Sequence, residues 1–231
     1  MPEFSDVRAL TFDAFGTILD LKGSLLPFIS EFLKKKQTRV TAEKIWEDWR
    51  ARQRIEQFQD TIMMVGHSGY LETSRRACVY TLALHGISVL LEEVKELMGA
   101  WQYLSPFPEV LPALGRLKQK YKLVVLSNGE PEYLAHLVND RIKFDFDEVI
   151  SVNIAGAFKP HPSVYRRAAL ILGLEVGECM MISANSFDVV GARACGLQAA
   201  FVNRNKLPYD DTPYRPQVVV NNFTELADSL V

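Results

Sequence analysis

The sequence is poor in the devices that staple small or secreted chains. It has three cysteines in 231 residues, Cys78, Cys179 and Cys195, an odd number with no C-x-x-C pair. That spacing argues against a disulfide framework and against a cysteine zinc site, and it fits a reducing, cytoplasmic compartment. No apolar run approaches the roughly 20 residues a membrane helix needs, so no membrane partner is expected. Met1 to Asp13 lacks the basic flank and long apolar stretch of a secretion signal. The Asn222-Phe223-Thr224 triplet, a glycosylation pattern only in a secreted chain, is therefore set aside. Charge is scarce as a large-scale feature: 26 Lys and Arg against 28 Asp and Glu leave −2, with no long block of one sign. A broad positive field for nucleic acid is thus missing. A small anionic ligand needs only one or two local cations and stays open. Internal repeats and low-complexity segments are also lacking.

What is present is enough apolar material, 48% of the residues, to bury a core without staples. The length suits one domain with a smaller one inserted or appended. Val7 to Phe12 is a short apolar run ending in Asp13. Lys122 to Leu126, Glu148 to Val152, Met180 to Ser183, Gln198 to Val202 and Gln217 to Val220 read as further strands. Helical spacing separates them over Val110 to Lys120, Pro131 to Val138, Ser163 to Leu172 and Val189 to Ala194. Alternation of strand and helix predicts a parallel sheet covered on both faces. Roughly a hundred residues separate the first two strands, far more than a crossover needs. They carry helical patterns over Lys44 to Phe58, Leu71 to Leu84 and Leu91 to Tyr103, which predicts a helical insertion, with Pro106 and Pro108 marking the return.

In an open parallel sheet, ligands bind beyond the carboxyl ends of the strands. Four polar groups are expected at that edge: Asp13; Ser127-Asn128; Lys159 after the third strand; and Ser183 to Asp188. Phe12-Asp13-Ala14-Phe15-Gly16-Thr17, Leu126-Ser127-Asn128-Gly129, Lys159-Pro160-His161-Pro162 and Ser183-Ala184-Asn185-Ser186-Phe187-Asp188, in that order, resemble the four motifs of the haloacid dehalogenase superfamily. The resemblance covers nearly the whole chain. It implies an α/β fold, a Rossmann-like three-layer sandwich with a parallel sheet, plus a helical cap inserted after the first strand. The core would comprise residues 1–17 and 106–231, and the cap residues 18–105.

Within that superfamily, magnesium phosphatases place a second Asp two residues after the nucleophile and an acid at the start of the fourth motif. This sequence has Phe15 and Ala184 there. Magnesium needs hard oxygen ligands, so the pattern resembles the metal-free (S)-2-haloacid dehalogenases instead. Halide is a good leaving group, and no general acid is required.

The resemblance implies roles. Asp13 would attack C2 of a 2-halo acid and form an ester, and Lys159 would keep Asp13 ionised by lowering its pKa. Thr17 would fix the attacking carboxylate. Asp188 would assist the hydrolytic water, with Ser183 and Asn185 positioning the water and Lys159. Ser127 and the N–H groups around Asn128 and Gly129 would bind the substrate carboxylate. Trp49-Arg50 resembles the family's cap pair that presents a halide-binding arginine. Arg50 is the expected ligand, with Arg52 and Arg54 as alternatives on the same helix. Asn128 and Phe187 would complete the halide cradle, Tyr165 would stand near Lys159, and Phe58 and Met63 would line the cap side. No cofactor and no metal are expected. Partners reduce to the small acid and a second copy of the chain, since the resemblance implies a homodimer. The same covalent chemistry on another 2-substituted acid, such as a strained-ring amine, shares every motif residue.

Overall fold

The computed structural model describes residues 4–64 and 66–231. The leader-free reading of Met1 to Asp13 falls partly on residues 1–3, outside the described residues. Six strands form one all-parallel sheet: β1 (Ala9–Phe12), β2 (Lys122–Ser127), β3 (Glu148–Ser151), β4 (Cys179–Ser183), β5 (Gln198–Val202) and β6 (Val218–Val220), in the order β3-β2-β1-β4-β5-β6. All six lie where apolar runs predict them, within one or two residues at each end.

The period-two alternation of a strand sends successive side chains to opposite faces. Leu10, Phe12, Leu123, Val125, Met180 and Ile182 join one core; Ala9, Val124, Leu126, Cys179 and Met181 join another. Helices α5 (Val110–Leu117), α6 (Pro131–His136) and α9 (Phe223–Leu230) cover the first face, and α7 (Pro162–Leu172) and α8 (Ser186–Ala194) the second. The result is an α/β, Rossmann-like sandwich of three layers.

The segment between β1 and α5 is helical: α1 (Leu21–Lys35), α2 (Ala42–Ile62), α3 (Tyr70–Leu84) and α4 (Leu91–Gly99). The sequence patterns miss α1, because Pro27 lies inside it. The ring is tolerated on the exposed side, while Leu21, Leu25, Ile29, Phe32 and Leu33 form the buried stripe. Asp20 caps α1 by accepting from the N–H of Gly23 at 2.8 Å. They also miss α9. There Asn222 of the set-aside triplet is the helix cap, its side chain accepting from the N–H of Glu225 at 2.9 Å.

The chain leaves and re-enters the core at adjacent points. Asp20 N–H donates to Ser105 O at 2.8 Å, Phe107 N–H donates to Ile18 O at 3.0 Å, and Leu19 bridges Pro106.

Candidate active site

β1 is flanked by β2 and β4, so its tip is flanked by theirs. The N–H of Asp13 donates to Ile182 O at 3.0 Å, which carries β1 one residue past its ladder and leaves the Asp13 side chain at the sheet edge. The chain then turns sharply: Gly16 adopts φ +85°, a left-handed conformation that favours glycine. The turn brings Thr17 back, and its hydroxyl donates to Asp13 Oδ2 at 2.7 Å while accepting the N–H of Ala184 at 2.9 Å. Asn185, capping α8, donates Nδ2–H to the same Oδ2 at 2.9 Å. Oδ1 is hydrogen-bonded to nothing among the described residues, and Lys159 Nζ stands 3.7 Å from it.

Lys159 is 1% exposed and arrives on the loop that follows β3. Its ammonium sits closer to Asp188 Oδ2, at 2.9 Å, than to Asp13. Tyr165, on the first turn of α7, donates its hydroxyl to Asp188 Oδ1 at 2.7 Å. α8 can close on this loop because position 191 is glycine: a Cβ there would come within 2.5 Å of Pro160 and 2.8 Å of the Tyr165 hydroxyl. Asn128 Oδ1 accepts the N–H of Lys159 at 2.9 Å and fixes the lysine's backbone.

Lys159 lowers the Asp13 pKa as expected, but it does not set the net direction. Burial, the largest influence, pushes the Asp13 carboxyl above its ordinary value, and Asp188 adds to the rise; Lys159, Thr17 and Asn185 pull against it without winning. Lys159 is shared, and its nearer partner is Asp188.

The cap side is built on α2. Its buried stripe runs from apolar Ile45, Trp46 and Trp49 to polar Gln53, Glu56, Gln57 and Asp60. Arg50, Arg54 and Gln57 follow at i, i+4 and i+7, so they share a face, and all three line a chamber over Asp13. Arg50 Nη1 donates to Gln53 Oε1 and to the Tyr70 hydroxyl, the latter at 3.1 Å. Burial pushes the Tyr70 phenol up to about 12, so it keeps its proton. Its ring stacks on Phe15 at 3.7 Å between centroids, joining cap to core. Arg54, exposed along much of its length, places its guanidinium carbon 5.0 Å over the Phe187 ring and Nη2 3.4 Å from Asn185 Oδ1. His67, in the loop before α3, stacks on Phe158, and its Nε2–H donates to Asn128 O at 2.7 Å. A carbonyl partner requires the proton on Nε2.

The chamber offers about 20 Å³ of water-accessible space and is lined by Asp13, Asn128, Lys159, Asn185, Phe187 and Asp188 from the core, together with Phe15 and the cap residues Arg50, Arg54, Gln57 and Tyr70. Seven of the twelve expected site residues therefore meet there.

The other five do not line it. Thr17, Ser183 and Tyr165 lie one layer behind: the Ser183 hydroxyl accepts the N–H of Asn185 at 3.1 Å. Ser127 Oγ is fully buried and takes the Gly129 N–H at 3.3 Å, and Gly129 O takes the Ser151 hydroxyl at 2.6 Å. The two residues expected to grip the carboxylate thus lie just behind the chamber wall, with the Ser127 hydroxyl accepting the Gly129 N–H. Arg52 faces away, bonded through Nε to Glu56 at 2.8 Å and stacked on Tyr80. Met63 is 62% exposed, outside the chamber, and Phe58 reaches the site only by packing edge-on against Phe187. His161 caps α7, its Nδ1 accepting the N–H of Ser163.

Arg54 was available from the sequence through its i, i+4 spacing to Arg50. Tyr70, Gln57 and His67 carried no local signal. Among the described residues, no group of three His, Cys, Asp or Glu could hold a metal, and no helix is long and apolar enough to cross a membrane.

A family model described as haloacid dehalogenase-like hydrolase matches residues 7–196. The (S)-2-haloacid dehalogenase of Xanthobacter autotrophicus is 31% identical over 199 residues, covering 86% of this chain and 76% of the relative. Haloacetate dehalogenase H-2 of Moraxella sp. (strain B) is 29% identical over 216 residues, covering 93% of each. A solved structure of L-2-haloacid dehalogenase from Xanthobacter autotrophicus with chloropropionic acid covalently bound matches with a TM-score of 0.82 at 27% identity, over 96% of this chain and 97% of that one.

Fold and site together define a class, the capped α/β enzymes with an aspartate at the tip of the first strand. Within that class, the chain belongs to the haloacid dehalogenase-like hydrolases, on the (S)-2-haloacid dehalogenase branch, and is an enzyme of that type.

Proposed function

We propose that the chain hydrolyses small 2-haloalkanoic acids, haloacetates and (S)-2-halopropionate, to 2-hydroxy acids through an ester on Asp13. The observation that carries this reading is the asymmetry of the Asp13 carboxylate. Oδ2 is pinned by Thr17 and Asn185, while Oδ1 accepts no hydrogen bond among the described residues and has Lys159 Nζ 3.7 Å away. Oδ1 attacks C2, the C2–halogen bond breaks, and halide departs with the bonding pair. Water then attacks the ester carbonyl carbon with Asp188 as the base. The C2 oxygen of the product thus comes from Asp13, and one proton is released. Asp188 has lone pairs left for that water, since a carboxylate offers about four acceptor sites and two are engaged.

Two features favour a halo acid over a phosphate ester. The lining residues carry three cations, Lys159, Arg50 and Arg54, against two carboxylates, Asp13 and Asp188; one monoanion balances them. Phe15 stands where a phosphatase of this superfamily carries its general acid, and its ring is committed to Tyr70. The chamber as it stands has room for little more than a water, so acids of two or three carbons ask the least opening of it. Fluoride, the poorest leaving group of the series, is the most demanding case. The reading also carries a core of residues 1–17 and 106–231, a cap of residues 18–105, a homodimer and a cytoplasmic setting.

The test is halide release from chloroacetate, bromoacetate, fluoroacetate and (S)-2-chloropropionate with a chelator present. Release that persists with chelator, and falls on the order of 10⁴-fold or more in Asp13→Ala, supports the reading. Magnesium-dependent turnover of an aryl phosphate, with no halide release, sinks it.

A further inference from the structure

In the reaction above, on which this inference rests, cleavage leaves two anions to hold at once, the newly formed halide and the substrate carboxylate. Asp13 becomes a neutral ester, while halide and the substrate carboxylate both remain in the chamber beside Asp188. Lys159 is bound to Asp188 at 2.9 Å. The remaining cations on the wall are Arg50 and Arg54, and neither forms an ion pair with a carboxylate among the described residues.

The two guanidiniums are held differently. Arg50 is fixed by Gln53 and Tyr70. Among the described residues, the one hydrogen bond of Arg54 is long, 3.4 Å to Asn185 Oδ1, and its guanidinium rests on the face of Phe187. Arg54, Arg50, Phe15 and Asn185 also line a second cavity of about 910 Å³ along the seam between cap and core. Arg54 therefore borders both the seam cavity and the chamber over Asp13. Ser127 Oγ, which takes the Gly129 N–H, keeps its own hydroxyl proton, so a cation on the cap side would act opposite that group and not in its place.

We propose that Arg54 clamps the substrate carboxylate from the cap side, leaving Arg50 and Asn128 to the departing halide. A guanidinium offers a carboxylate two parallel N–H bonds, and a planar fork is suited to this in a way an ammonium is not. Only a weak contact to Asn185 must be given up. Because Arg54 borders both cavities, it meets the acid on its way in and selects for a free carboxylate over the corresponding amide.

The experiment compares wild type, Arg54→Gln, Arg54→Lys and Arg52→Gln. It reads the KM and kcat of chloroacetate turnover, and the calorimetric affinity for the product glycolate and its uncharged analogue glycolamide. Arg54→Gln is expected to raise the chloroacetate KM roughly ten- to a hundredfold, a range set by losing a charge-assisted bidentate contact, with a smaller fall in kcat. Glycolate affinity falls by a similar factor and glycolamide affinity does not. Arg54→Lys recovers part of the loss. Arg52→Gln, on the opposite side of the helix, changes neither.

Halide release with an unchanged KM and unchanged glycolate affinity in Arg54→Gln overturns the clamp and leaves the dehalogenase reading standing. Equal losses for glycolate and glycolamide also overturn it. A wild type that releases no halide, but whose glycolate binding is lost in Arg54→Gln, overturns the dehalogenase reading and keeps the clamp.

Discussion

The core half and the cap half of the site are held by different means. On the core side, Asp13, Lys159 and Asp188 all have side chains no more than 8% exposed, and three of the four carboxylate oxygens are engaged by named donors. On the cap side, Arg50 is half-buried, Arg54 is exposed, and both belong to one face of one helix. The sheet edge fixes the reacting groups through many short bonds from different strands. The cap supplies charge and shape through few contacts. Chemistry is therefore over-determined in this enzyme, and selection rests on a small number of side chains.

The largest expected effect strikes the wired half. On the proposed reaction, Asp188→Asn removes the base and one charge while keeping the size of the side chain. The expected outcome is one halide released per site, then arrest, with an ester on Asp13 visible as a mass increase on the intact protein. Continued turnover at a measurable rate would show that another group activates the water.

A smaller effect is expected on the cap. Arg50→Lys keeps the charge but loses the fork that Gln53 and Tyr70 hold in place. A drop in kcat on the order of 10²-fold, the scale of removing one oriented donor, is expected, larger for fluoroacetate than for bromoacetate because fluoride depends more on its donors. Equal losses across the halides would place Arg50 away from the leaving group.

The smallest effect is a shift rather than a loss. Burial raises the Asp13 pKa, and the attacking species is the carboxylate. Log kcat/KM should therefore fall as pH drops through that raised value, placing the acidic limb above the ordinary carboxylate range of about 4. Asn185→Ala removes a hydrogen bond that lowers this pKa and should move the limb further up. A limb at the ordinary value would mean that Lys159 serves Asp13 more than its 2.9 Å contact with Asp188 suggests.

The same contrast governs what could be read from sequence. The core half was legible because each reacting group ends an apolar run: Asp13 after Val7 to Phe12, Ser127-Asn128 after Lys122 to Leu126, and Ser183 after Met180 to Ile182. A parallel sheet brings such ends together whatever their separation in the chain. The cap half was legible only as helix. Its buried stripe turns polar after Trp49, where hydrophobic spacing no longer marks which face is inside, so Arg50, Arg52 and Arg54 stayed alternatives. The geometry of α2 separates them, because residues two apart lie about 200° apart on a helix. Ser127 and Gly129 lie behind the chamber wall for another reason. Their strand end was identified, but not the close packing of Gly129 under Leu134 and Phe15, where a Cβ would meet Leu134 at 2.8 Å.

The paired crossings at Asp20–Ser105 and Ile18–Phe107 have a practical meaning for engineering. An insertion whose two ends are stitched side by side is a cassette. It can be lifted out at those joints and replaced by another helical unit, and the hydrogen bonds on Asp13, all contributed by Thr17 and Asn185, go with neither the old unit nor the new. A library of exchanged cassettes on this one core would vary which acids are admitted while the nucleophile stays as it is.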